Sequence, residues 1–140
     1  MEVPEGRRRT RSFDKAEKAL KAGADAAGNL PVSSYRLSPQ LVSSCVAKGV
    51  THLFPIQAQT FDPILDGKDL IGRARTGMGK TLAFSLPVAE RLRTDPRVTG
   101  KRRGRPPLVL CMAPTRELAK QVAKEFQSIS PWMDHTCIYG

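Results

Sequence analysis

The chain has 140 residues, 40% of them hydrophobic, and a formal net charge of +10 with a pI near 10.1. This length fits one domain or part of one, and no apolar run in the sequence is long enough to span a membrane. The start lacks the apolar core of a secretory signal. Cys45, Cys111 and Cys137 are widely separated, which indicates reduced thiols in an intracellular protein rather than disulfides or a zinc site. The positive charge favours a polyanionic partner such as nucleic acid, or it only solvates surface loops.

The N-terminal part is rich in basic residues and poor in large apolar ones. Residues 1–29 therefore predict a mobile basic arm, because they offer too little apolar surface to offset the entropy of ordering. The run Arg7–Arg11 fits a nuclear-targeting or RNA-contacting cluster, and equally a solvated tail.

Two helices are predicted next. Ser38 followed by Pro39 is typical of a helix start, and Gly49 is typical of the position after a helix end. A second helix is predicted from Pro55 to the turn near Asp66-Gly67.

The central segment has the order strand, glycine-rich turn, helix. An apolar run, Asp69–Arg73, precedes the turn Ala74–Thr81, and a helix-forming sequence follows. This order is typical of a phosphate-binding loop, in which glycines let successive backbone N–H groups face one anion. Lys80 offers a cation to the outer phosphates of a nucleotide, and the Thr81 hydroxyl can ligate Mg²⁺. Ala74 stands where such loops usually begin with Gly.

The chain after this loop contains two breaks in regular structure. Pro87 is expected to kink or divide the helix that follows the loop. A connection at residues 94–107 is rich in Gly, Pro and Arg. It overlaps a basic stretch, residues 91–105, with seven Lys or Arg and one acid, and this stretch either binds RNA or is simply solvated.

The remaining elements predict an α/β fold. Leu108–Ala113 is expected to form a strand buried on both faces, and Thr136–Tyr139 to form a third strand. A helix between them has its apolar stripe at Leu118, Val122, Phe126 and Ile129. Strands that alternate with helices predict a parallel sheet.

Three blocks of sequence carry a family resemblance. They are Gly49–Gln57, Ala74–Thr81 and Pro114–Ala119, in an order and spacing that fit from about Pro31 to Gly140. On these blocks the chain resembles the DEAD-box ATP-dependent RNA helicases. The form Leu-Phe-Pro-Ile-Gln, which ends at Gln57, is similar to that of the nucleolar Gu/RNA helicase II-like subgroup.

This resemblance implies the fold and its boundaries. Residues 30–140 would be the N-terminal half of a RecA-like, parallel-sheet P-loop NTPase domain, incomplete because only its first strands and helices are present. The Q motif would lie at about 31–59, the P-loop at 74–81 and motif Ia at 114–119.

The resemblance also implies an ATP site with Mg²⁺. Gln57 would pair with adenine and so select ATP over GTP, because an amide matches the N6 and N7 edge of that base. The phosphates would lie on Ala74, Arg75, Thr76, Gly77, Met78, Gly79, Lys80 and Thr81, with Lys80 and Thr81 as the catalytic residues and Thr81 as the ligand of Mg²⁺. The aromatic residue that stacks on adenine in the family aligns with Val32. Tyr35 is then the nearest ring, and a core position is equally compatible with it.

An RNA site follows from the third block. The resemblance implies contacts with the RNA backbone from Pro114, Thr115, Arg116 and Gly140, without reading of sequence. The same block is also compatible with simple helix capping by Pro-Thr. The subgroup implies residence in the nucleus and nucleolus, with the cytoplasm as the alternative, and the oligomeric state stays open.

The sequence lacks several groups that the family needs for turnover. No Asp-Glu-x-Asp follows a strand, and no Ser-Ala-Thr motif or second RecA-like domain is present. We therefore expect a fragment of an ATP-hydrolysing RNA helicase that is inactive alone. The alternatives are another P-loop enzyme, such as a small-molecule kinase, and a non-catalytic RNA-binding module.

Overall fold

A computed structural model describes residues 23–99, 104 and 106–140. Most of the predicted basic arm and much of the basic stretch at 91–105 lie outside these residues. Within these described residues, a short 3₁₀ turn and five α-helices follow one another. They are the turn Val32–Ser34, α1 Pro39–Ala47, α2 Pro55–Leu65, α3 Lys80–Arg93, α4 Pro96–Thr99 and α5 Arg116–Ile129.

The helix starts are set by local sequence. The Ser38 hydroxyl accepts a hydrogen bond from the Leu41 N–H at 3.4 Å, and Pro39 occupies the first helical position. The Thr115 hydroxyl caps α5 in the same way. The predicted bounds of α1 and α2 are confirmed, since α1 ends just before Gly49, which adopts a φ of 77°.

The helix α3 continues through Pro87, so of the two expected effects, a kink or a division, the division is wrong. A proline in a helix removes the N–H that would bond to the carbonyl four residues earlier, which here belongs to Ala83. The Thr60 hydroxyl lies 2.9 Å from that carbonyl and also 2.9 Å from the Ile56 carbonyl. The Gln57 carbonyl is a third acceptor at 3.3 Å, so the hydroxyl shares its one proton among the three and partly replaces the lost hydrogen bond.

The core lies where α1, α2, α3 and the C-terminal end of α5 meet. Its buried members are apolar and come from the 3₁₀ turn, α1, the segment before α2, α2, α3 and the end of α5: Val32, Leu41, Cys45, Leu53, Phe61, Leu82, Leu86, Ala89 and Ile129. Burial raises the pKa of the Cys45 thiol to about 11, which keeps it neutral at physiological pH. An antiparallel bridge between Pro31 and His52 attaches the N-terminal segment to this core.

No strand is present among the described residues, so the parallel sheet that the sequence predicts is not formed in the described part. The segment Leu108–Ala113, expected to be buried on both faces, is instead open to solvent. Leu110 and Met112 are 79% and 89% exposed, and Ile71 and Ile138 in the other two predicted strands are 102% and 87% exposed. The physical reason is that a strand is covered only when neighbouring strands pair with it, and no described segment does so.

We predict that these exposed segments make the 140-residue chain self-associate. Leu110→Lys with Met112→Lys should lower the average mass measured by light scattering, because two charges interrupt the apolar surface. Gln121→Lys with Gln127→Lys adds the same charge at two exposed positions on α5 and is the matched control. A parent chain that stays monomeric at every concentration would contradict the prediction.

Candidate nucleotide site and nucleic-acid interface

The glycine-rich turn between residues 74 and 79 leads directly into α3. Gly79 is the residue before the helix and has φ 68°, and Gly77 has φ 85°. Both values lie in the left-handed region that side chains disfavour, so the path of this loop requires glycine at both positions. The helix N-terminus places unpaired N–H groups beside the loop, an arrangement that attracts anions.

Lys80 closes the loop on itself. Its ammonium donates a hydrogen bond to the Ala74 carbonyl at 2.8 Å, which joins the two ends of the turn. The side chain is exposed, as are Arg75, Thr76, Gly77 and Met78. The Lys80 ammonium therefore already lies across the loop, where an incoming phosphate could reach it.

Gln57 connects the loop to α2. Its side-chain oxygen accepts from the Phe54 N–H at 2.8 Å, and its side-chain nitrogen donates to the Gly79 carbonyl at 3.2 Å. Gln57 is only 4% exposed, and both hydrogen bonds are partly buried. An added Cβ at Gly79 would collide with this amide. The structure thus brings Gln57 and the phosphate loop together, as one site requires.

Phe54 is a residue that the sequence arguments did not assign to the site. It is 44% exposed and precedes α2, and its ring lies 3.6 Å from the position that a Cβ on Gly79 would occupy. A large apolar side chain at a helix N-cap, where polar residues are preferred, was the available signal. Its ring gives the surface beside Gly79 an aromatic face.

Tyr35 lies against the core. Its ring centroid is 5.5 Å from that of Phe61, with the planes tilted by 59°. Burial raises the pKa of its phenol, and the nearby Asp62 carboxylate adds to the rise. Val32, at the aligned position, is 2% exposed and has no ring to offer. Tyr35 could stack on adenine or pack in the core, and its surroundings favour packing in the core.

The metal-ligating groups are few. No group of three or more His, Cys, Asp or Glu that could hold an ion occurs among the described residues. Thr81, half-buried at the start of α3, supplies one oxygen. Mg²⁺ is commonly bound by one or two protein ligands and completes its coordination shell with phosphate and water. Thr81 would be a single ligand of this kind.

The residues predicted to contact RNA lie around the start of α5. Thr115 caps the helix and Arg116 is its first residue. The Arg116 guanidinium carbon lies 5.9 Å from the centroid of the Tyr139 ring, which brings it close to Gly140. Pro114, Thr115, Arg116 and Gly140 are all exposed. The two ends of the predicted RNA site are therefore neighbours.

We predict that Gly79→Ala destabilises the chain more than Gly77→Ala. Both substitutions put a side chain at positive φ, but only the first displaces the buried Gln57 amide; a Cβ at Gly77 meets nothing within 4 Å. The difference in the free energy of unfolding should be about 1–3 kcal/mol, the cost of leaving a buried polar group unpaired. Urea denaturation followed by circular dichroism measures it. Equal losses, or a difference that persists in a Gln57→Ala background, would rule out the contact as the cause.

The sequence of this chain matches a known protein family. Residues 54–140 match the DEAD/DEAH box helicase family. The chain is 49% identical over 121 residues to DEAD-box ATP-dependent RNA helicase 53 of Oryza sativa subsp. japonica, covering 85% of this chain and 20% of that protein. It is 45% identical over 134 residues to ATP-dependent RNA helicase DDX50 of Mus musculus, covering 93% of this chain and 17% of that protein.

Solved structures agree with the sequence relatives. A DEAD box protein from the hyperthermophile Methanococcus jannaschii superposes with a TM-score of 0.61 at 28% identity, covering 79% of this chain and 29% of that one. The RNA-helicase Prp28 from Chaetomium thermophilum bound to ADP gives a TM-score of 0.62 at 26% identity, covering 94% and 32%. The chain spans about a fifth of the length of its sequence relatives, 20% and 17% for the two above. It belongs to the DEAD/DEAH box helicase family.

Proposed function

We propose that this chain is the ATP-binding and RNA-contacting part of a DEAD-box ATP-dependent RNA helicase. The whole protein would hydrolyse ATP to ADP and phosphate and use the cycle to separate RNA strands. The observation that carries the proposal is the pair of hydrogen bonds through which Gln57 joins α2 to the phosphate loop. Relatives named as ATP-dependent RNA helicases support it.

The nucleotide would bind across the loop from residue 74 to residue 81. Backbone N–H groups of the loop and of the first turn of α3 face the phosphates, and Lys80 moves from the Ala74 carbonyl to the outer phosphate oxygens. Thr81 would hold Mg²⁺ together with the phosphates, and the ion would supply positive charge near the transferring group. A small-molecule kinase would need a specific acceptor pocket beside the loop, and that reading gives no role to the Gln57 link.

Selection of adenine would use the hydrogen-bonding positions of the Gln57 amide that Phe54 and Gly79 do not occupy. The oxygen carries a second lone pair and the nitrogen a second N–H beyond those bonded to Phe54 and Gly79. Those two free positions match the N6 amino group and N7 of adenine. In this arrangement one side chain reads the base and holds the phosphate loop at the same time.

The RNA strand would lie over the start of α5. Pro114, Thr115, Arg116 and Gly140 offer backbone groups and one guanidinium, which recognise phosphates and sugars irrespective of base. Among the described residues, no helix is long and apolar enough to cross a membrane. The form Leu-Phe-Pro-Ile-Gln at residues 53–57 supports the Gu/RNA helicase II-like subgroup, and nucleolar residence is proposed on that resemblance alone.

We predict that Lys80→Ala in the whole protein lowers RNA-stimulated ATP turnover by about 10²–10³, the usual effect of losing one electrostatic stabiliser of the transition state. Lys68→Ala removes an exposed lysine before the loop and is the matched control. Phosphate release at saturating RNA is the measurement. Turnover within about threefold of the parent, less than roughly 1 kcal/mol of barrier, would reject Lys80 as the phosphate-binding cation.

We also predict that Gln57→Ala weakens the binding of ATP more than that of GTP. The deleted amide matches the adenine edge, whereas guanine presents an acceptor, O6, at the corresponding position. Competition of each nucleotide against a fluorescent ATP analogue measures the two affinities. An equal loss for both nucleotides would assign to Gln57 only the structural link to Gly79.

A further inference from the structure

Two cations converge on one exposed aromatic ring at the start of α5. Arg116 and Lys120 are four positions apart on the helix and therefore share one face. The Arg116 guanidinium carbon lies 5.9 Å and the Lys120 ammonium 4.7 Å from the centroid of the Tyr139 ring. Tyr139 is 50% exposed, and both cations are exposed.

This pair differs from the cations that form ion pairs in the described part of the chain. Arg36, Lys48, Arg93 and Arg97 each form an ion pair with a carboxylate. In the described part of the chain neither Arg116 nor Lys120 has such an ion pair; the ring face is their recorded contact. The charge at this place is therefore held in position without being neutralised.

The arrangement has an electrostatic cost that an anion would remove. Like charges four residues apart on a helix repel each other. The negative face of the Tyr139 ring attracts both and so keeps them together. The positive end of the α5 dipole and its unpaired N–H groups add to the same field. A phosphate placed between the two cations would relieve their repulsion and would be attracted to both of them.

We propose that Lys120 is an RNA phosphate contact and that Tyr139 is a positioning residue that holds Lys120 beside Arg116. The ligand is the phosphate backbone of a single RNA strand, and the inference rests on the proposed function because Arg116 already belongs to the predicted RNA site. Lys120 lies beyond the block Pro114–Ala119, and we add it to the RNA site only because of its position over the Tyr139 ring.

The test uses the 140-residue chain and a labelled oligouridine, with binding followed by fluorescence anisotropy over a range of salt concentrations. Lys120→Ala should weaken binding and flatten the slope of log affinity against log salt by about 0.7, the value for one phosphate contact on a single strand. Lys124→Ala removes an exposed lysine one turn further along α5 and should leave the slope unchanged.

Tyr139 is tested by two substitutions. Tyr139→Leu removes the ring face and should weaken RNA binding as Lys120→Ala does, whereas Tyr139→Phe keeps the face and should bind as the parent does. Far-ultraviolet circular dichroism should be the same for all variants, since Tyr139 is half exposed. A loss in Tyr139→Phe as large as in Tyr139→Leu would overturn the positioning role.

The remaining outcomes separate this inference from the proposed function. Equal slopes for Lys120→Ala and Lys124→Ala, with the parent binding RNA in a salt-dependent way, would overturn the Lys120 contact and leave the proposed function standing. A parent chain whose RNA binding has no salt dependence would overturn both.

Discussion

The candidate nucleotide site depends on one side chain, Gln57, that makes two partly buried hydrogen bonds to backbone groups. One partner is the Phe54 N–H at the start of α2, and the other is the Gly79 carbonyl at the start of α3. Because Gln57 is 4% exposed, an unpaired amide would be costly, so the two helix starts are held at a fixed separation. The same closeness explains why residue 79 must lack a side chain.

The helices α2 and α3 form the frame under the candidate nucleotide site. They are joined a second time by the Thr60 hydroxyl at the Ala83 carbonyl, and Phe61 and Leu86 pack between them in the core. The phosphate loop itself is mostly exposed and is closed by a single hydrogen bond from Lys80. A rigid frame under a lightly held loop is suited to a ligand that replaces the internal contact of the loop with its own.

The sequence predicts what depends on local chemistry. Ser38-Pro39 and Pro55 mark real helix starts, and Gly79 lies at the end of a loop that leads into a helix. The sequence fails where the outcome depends on distant partners. Leu110 is exposed because burial of a strand needs a neighbour that hydrogen-bonds to it. The carbonyl that Pro87 leaves without its helical donor is bonded by Thr60, a residue from another helix that no local pattern identifies.

The link between nucleotide and Gln57 is tested most directly by nuclear magnetic resonance of the labelled chain during titration with ATP. The backbone amides of Gly77, Gly79 and Lys80 and the side-chain amide of Gln57 should all shift along one saturation curve, because on the proposed site a phosphate on the loop would be felt at the Gly79 carbonyl and adenine would meet the amide itself. Loop amides that shift while the Gln57 side-chain amide stays unchanged would contradict a single site that joins the loop to α2.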